Sequence, residues 1–242
     1  MERIHMVEVH PHLESLLRFL HAQGLISTAD EDLSYGIHAW LSAAFGHMAP
    51  KPWRLFMDKR RPPRILGYSR YDAQELQQQI MEFADPLAYA VCPDPKHDIA
   101  SKPMPSWRAG RRLLFEVQCC PVARKFGSGV EKDLYLIEVE RSPASRLNRE
   151  TVYCNWVQSA LEANNAATVS KVHLDGFRLV HHIRKSTASG GERTTAHIVR
   201  PRALVRGELT IQNPDTFGHL VARGVGRHRA FGYGMLLLRP AG

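Results

Sequence analysis

Tyr35 and His38 stand three apart in "STADEDLSYGIHAWLSAAFG", which on a helix makes them neighbours one turn apart. A phenol beside an imidazole supports proton transfer, because an unperturbed imidazole titrates near pH 6.5. The flanking residues predict that helix over about Asp30–Phe45. Thr28 and Glu31 have capping-box spacing, and Asp30, Glu31 and Asp32 put negative charge at its start. Leu33, Ile37, Trp40, Leu41 and Ala44 form an apolar stripe, with Tyr35, His38 and Ser42 off it. Spacing alone fits a solvated helix face as well as it fits a proton-transfer pair.

A second stretch with chemical potential is "GVGRHRAFGYG", Gly224–Gly234, where glycines surround Arg227, His228 and Arg229. It is not a dinucleotide loop: Gly224 and Gly226 fit the first half of G-x-G-x-x-G, but Arg229 takes the third glycine position. The order of elements is also reversed. Upstream, Asn213 and Pro214 suit the cap and first turn of a helix whose Phe217, Leu220 and Val221 share a face. Gly224 sits at that helix's end, and "GYGMLLLRP" reads as a strand. The stretch fits a flexible turn, and the cations within it shift the reading towards an anion-binding turn.

The 242 residues carry a net charge of +8 before 13 histidines are counted, which favours a polyanionic partner, most simply nucleic acid. Metal-free RNA cleavage needs a group to take the 2′-hydroxyl proton, one to protonate the leaving 5′-oxygen, and cations for the phosphorus centre. His38, Tyr35 and the loop arginines are the right types. Cys92, Cys119, Cys120 and Cys154 form no C-x-x-C pair and no zinc spacing, so buried thiols in a reducing, cytoplasmic protein are expected. Neither a metal nor a cofactor is implied. No apolar run approaches the roughly 18–20 residues that span a bilayer, and the start lacks a signal-peptide core.

The pattern along the chain predicts an α+β protein of two tandem ferredoxin-like (RRM-like) βαββαβ domains, 1–126 and 133–242. In the first, a strand at Arg3–Val9 and the Tyr35 helix precede strands at Trp53–Asp58 and Arg64–Ser69 and a helix at Asp72–Ala84. The long strand "RRLLFEVQCCPVAR" closes that domain near Arg124, and five prolines mark Asp85–Gly110 as loop. In the second, a weak strand near Asp133–Val139 precedes a helix at Arg149–Asn164. Strands at Lys171–Arg184 and Ala196–Gln212 flank the polar tip "KSTASGGERTT", and the Phe217 helix, the glycine loop and the last strand follow.

The whole chain resembles the CasE family of CRISPR repeat-RNA endoribonucleases. "GELTIQNPDTFGHLVARGVGRHRAFGYGMLLLRP" is similar to that family's strand, capped helix, G-[IV]-G loop, A-F-G-[FY]-G and final strand. "ETVYCNWV" resembles its E-x-V-Y-x-x-W-L helix, and "LLFEVQCCPV" its strand ending in Asn-Pro. "LSYGIHAWLSAAF" resembles its Y-x-x-H-x-x-L-x-x-x-F helix. The chain departs from the family at Arg229, where a lysine is usual, at Cys120 in place of the strand-ending asparagine, and at Asn213 before Pro214.

This resemblance implies catalysis at Tyr35 and His38 and RNA contact by Gly224, Gly226, Arg227, His228 and Arg229, the loop's exposed amides forming an anion-binding nest; for His228 the alternative is a second proton-transfer group. It implies metal-independent cleavage of CRISPR repeat RNA to a 2′,3′-cyclic phosphate. The product would stay bound as a crRNA hairpin alongside other Cascade subunits, with target DNA met only indirectly and no membrane partner. Arg124, Lys125, Arg184, Lys185, Arg193, Arg200 and Arg202 are further expected RNA contacts. A noncatalytic RNA-binding subunit of the same complex would share these features. An unrelated ferredoxin-like metabolic enzyme is disfavoured by the basic balance.

Overall fold

The computed structural model describes residues 4–25, 33–58, 60–124, 130–143, 146–187 and 193–241; the side chains of 182–187 and 193–197 fall outside the described set. The chain divides into two units. One comprises residues 1–104, 180–199 and 230–232, the other 105–179, 200–229 and 233–242.

In the first unit, β1 (His5–Val9) leads through α1 (Leu13–Ala22) and α2 (Ser34–Phe45) to the hairpin β2 (Trp53–Asp58) and β3 (Arg61–Ser69). Helix α3 (Ala73–Phe83) and the one-turn helices α4 (Pro86–Tyr89) and α5 (Pro95–Asp98) return the chain to β4 (Ile99–Pro103). The sheet order is β2-β3-β1-β4, with β1 antiparallel to both neighbours: Val7 sits opposite Gly67 and Ser101. This is the ferredoxin-like βαββαβ arrangement. Val7, Val9 and Ile65 join Ile37, Trp40, Leu41 and Ala44 of α2 and Leu76 and Ile80 of α3 in one core. Each of the valine, leucine and isoleucine side chains among them contributes about 1.5–3 kcal/mol by leaving water. The Trp40 indole N–H is satisfied by the Ala88 carbonyl at 3.0 Å. Asp72 caps α3 in a reciprocal box with Glu75.

The second unit repeats the pattern. After β5 (Arg112–Cys119) come a short ladder of β6 (Val122–Arg124) and β7 (Glu131–Asp133), then α6 (Leu134–Arg141) and α7 (Arg149–Glu162). The long strands β8 (Ala167–Thr187) and β9 (Arg193–Ile211), of which residues 167–179 and 200–211 belong to this unit, helix α8 (Pro214–Arg223) and β10 (Leu236–Pro240) complete it. The sheet order, β10-β5-β9-β8, is again that of a ferredoxin-like sheet. Two tandem α+β units therefore hold, as the periodicity predicts.

Their boundary differs from the expected 1–126 and 133–242. The strand at Arg112–Cys119 does not close the first sheet; it pairs with β9 and β10 and opens the second. Its alternating Leu113, Phe115, Val117 and Cys119 show a buried face without saying which sheet buries it. The closing role belongs to β4, hidden in the proline-rich stretch read as loop. As an edge strand it pairs only with β1, and Pro103 ends it, a position that tolerates a missing N–H.

Two other elements depart from expectation. The segment expected as a weak strand at Asp133–Val139 is helix α6, capped by the Asp133 carboxylate, which accepts from the Tyr135 N–H. Helix α1 has no counterpart among the expected elements, although its buried Leu16, Phe19 and Leu20 recur at helical spacing.

Candidate active site

Helix α2 turns its apolar stripe inward, leaving Ile37, Trp40, Leu41 and Ala44 at most 1% exposed. Its expected start at Thr28–Asp32 lies outside the described residues. Tyr35 and His38 flank the stripe and are half-buried, not fully solvated as a free helix face would be. What covers them is Phe231. Its ring lies 6.0 Å from that of Tyr35, nearly parallel at 8°, and 4.8 Å from that of His38, edge-on at 69°. Both distances are those of favourable aromatic pairs. The buried Trp53 fixes the neighbouring peptide, its indole N–H donating to the Ala230 carbonyl at 3.0 Å. One phenylalanine thus holds the phenol and the imidazole together. Sequence reading passed over Phe231 because it stood inside a motif as an apolar residue with no chemistry of its own.

Burial lowers the pKa of His38 below its ordinary value, and the charge of Lys51 lowers it further. The imidazole is therefore biased towards its neutral form, ready to accept a proton. Lys51 is a second residue that sequence reasoning missed. It lies well beyond α2 in the chain, and no motif marks it.

The glycine loop is organised differently from an open nest. The Gly224 N–H ends α8 by donating to the Leu220 carbonyl, the Val225 N–H donates to Gly234, and the Gly234 N–H donates to Gln118. These three amides are committed within the protein and do not face an anion. Gly226 has φ +76°, and a Cβ there would fall 2.6 Å from Trp156 of α7. This packing by itself calls for glycine at 226.

The cations divide into two groups. Arg229 donates through one terminal nitrogen to the Arg223 carbonyl at 2.6 Å, satisfying an orphan acceptor and tying the loop to the end of α8. Arg227 and His228 instead converge on Glu131. Arg227 Nε donates to Oε1 at 2.8 Å, and His228 Nε2 lies 2.7 Å from Oε2. Arg200 reaches the same Oε2 at 3.0 Å. Burial alone would raise the pKa of Glu131, but the charge and hydrogen bonds of His228, Arg227 and Arg200 outweigh it and hold the carboxyl below its usual range. The residue is neither in a motif nor near the loop in sequence.

Of the other expected contacts, Arg124 is exposed at the end of β6. Arg202 lies with its guanidinium 5.7 Å from the centre of the Tyr233 ring. Lys125 and the side chains of Arg184, Lys185 and Arg193 fall outside the described residues. All four cysteines are buried thiols, raised in pKa by burial, Cys154 to about 11. Among the described residues no group of three or more His, Cys, Asp or Glu could hold a metal ion, and no helix is long and apolar enough to cross a membrane.

A family model for CRISPR associated protein matches residues 8–240. None of the curated proteins matches the chain in sequence. Among solved structures, the chain is similar to the CRISPR endoribonuclease Cse3 bound to a 19-nt RNA, at 18% identity and a TM-score of 0.66, covering 98% of this chain and 100% of that one. Thermus thermophilus Cse3, bound to an RNA representing a pre-cleavage complex, matches at 17% identity and 0.60, covering 98% and 100%. A chain of a pre-nicking CRISPR RNA-guided surveillance complex matches at 14% and 0.53, covering 99% and 100%. At these identities the likeness speaks to the fold.

Proposed function

Because the chain belongs to the CRISPR associated protein family, we propose that it is a metal-independent endoribonuclease that cuts CRISPR repeat RNA and keeps the hairpin product. The observation that carries this reading is the Tyr35–His38 pair on one turn of α2, packed against one ring and biased towards neutral imidazole. In this mechanism neutral His38 takes the proton of the 2′-hydroxyl, and the 2′-oxygen attacks phosphorus. The bond to the 5′-oxygen breaks, and that oxygen leaves with a proton from the Tyr35 phenol, which is restored from solvent. The products are a 2′,3′-cyclic phosphate and a 5′-hydroxyl. Lys51, whose charge reaches His38, supplies positive charge near the phosphorus centre.

The partner set follows from the same reading: the repeat hairpin as crRNA, and the other subunits of a Cascade-type complex, as in the surveillance complex of similar fold. Single-turnover cleavage of repeat RNA in EDTA tests the reaction. The wild type is expected to cut. His38→Ala is expected to cut roughly 10²–10⁴-fold more slowly while still binding the hairpin. Binding without cleavage by the wild type would make the chain a noncatalytic RNA-binding subunit.

A further inference from the structure

Glu131 is a carboxylate only 10% exposed, set on the short strand β7, with three cationic or titratable side chains on its two oxygens. Two of them, Arg227 and His228, are consecutive in the glycine loop, and His228 is held at φ +60°, a backbone conformation that costs energy and persists only where its surroundings impose it. The third, Arg200, comes from β9. Arg227 is 48% exposed and, among the described residues, is engaged through Nε alone, so its outer nitrogens remain available to solvent or ligand. The carboxylate is the buried partner and the arginine the outer one. That is the order expected of a brace beneath a binding surface; an internal stand-in for phosphate would lie on the outer side.

We propose that Glu131 is a positioning residue for RNA: it gathers Arg200, Arg227 and His228 into one preorganised phosphate-binding surface. The proposal rests on the reading of this loop as RNA-binding. It makes a prediction opposite in sign to simple electrostatics. Removing a negative charge from a protein that binds a polyanion should tighten binding through long-range attraction. If Glu131 instead braces the cations, its removal frees them to wander, and binding weakens despite the gain in net positive charge.

The test is repeat-hairpin affinity as a function of salt for the wild type, Glu131→Gln, Arg227→Gln and the double variant, with melting curves on each. Glu131→Gln is expected to weaken affinity about tenfold, the worth of one charge-assisted hydrogen bond. Arg227→Gln should then cost much less in the Glu131→Gln background than in the wild type, because the brace and the braced group act as one unit. Should Glu131→Gln fail to fold, Glu131→Asp keeps the charge but shortens the reach, and must still bind the hairpin more weakly than the wild type at near wild-type stability. Unchanged or tighter binding by either folded variant, or equal cost of Arg227→Gln in both backgrounds, overturns the proposal. A wild type that does not bind the hairpin at all removes the functional reading and this inference together; a wild type that binds while the variants behave alike removes only the inference.

Discussion

Within the Tyr35–His38 pair, the structure alters the chemistry of His38. An imidazole on an open helix face would titrate near 6.5, but burial beside Phe231 and the charge of Lys51 both disfavour its protonated form. The sign follows directly: the midpoint in the RNA-free protein lies below the ordinary value, and taking away the lysine charge moves it up. An NMR titration of the His38 ring should show a depressed midpoint, with Lys51→Gln shifting it part of the way back towards 6.5. A midpoint at or above the ordinary value, or one indifferent to Lys51, would contradict this account. For a base that must be neutral to accept the 2′-hydroxyl proton, the depressed value keeps His38 competent at neutral pH and below.

At the scale of elements, the end of α8 and the loop after it form one packed unit with α7. Asn213 caps the helix by accepting from the Asp215 and Thr216 N–H groups, Pro214 follows, and Arg229 returns to the last turn. Gly226 then passes under Trp156 in a left-handed conformation. Gly226→Ala should cost about 1–2 kcal/mol for that backbone conformation and a further roughly 1–3 kcal/mol for overpacking against the indole. Urea unfolding measures the sum. Trp156→Leu introduced alongside should recover the overpacking part and leave the backbone part. A Gly226→Ala protein as stable as the wild type would show that the loop is looser than this packing implies.

For the molecule as a whole, net charge matters through where it is already spent. The chain carries +8, yet Arg229 ties one of its nitrogens to a helix end. Hairpin binding should weaken steeply with salt, as counterions are released for each phosphate neutralised. Arg227→Ala should reduce the slope by about 1, while Arg229→Ala should lower the melting temperature and leave the slope near wild type. Equal effects of the two substitutions on the slope would mean that the structural role assigned to Arg229 is wrong.

Much of this was legible in the amino-acid order, for a local reason. The stripe of α2, the Asn213–Pro214 start of α8 and the strand alternation of β5 each depend on residues a few positions apart, so periodicity and caps reveal them. The Tyr35–His38 pair belongs to this class, since one helical turn makes the residues neighbours. Tertiary structure decided what depends on remote partners. A period-two pattern shows that β5 has a buried face, but the pairing with β9 and β10 chooses its sheet. Nothing near Phe231 in sequence says that its ring meets Tyr35 and His38, and nothing near Glu131 says that Arg200, Arg227 and His228 will share its carboxylate. Side-chain stacking and ion pairing are set by distance in space, and the folded chain alone supplies that distance.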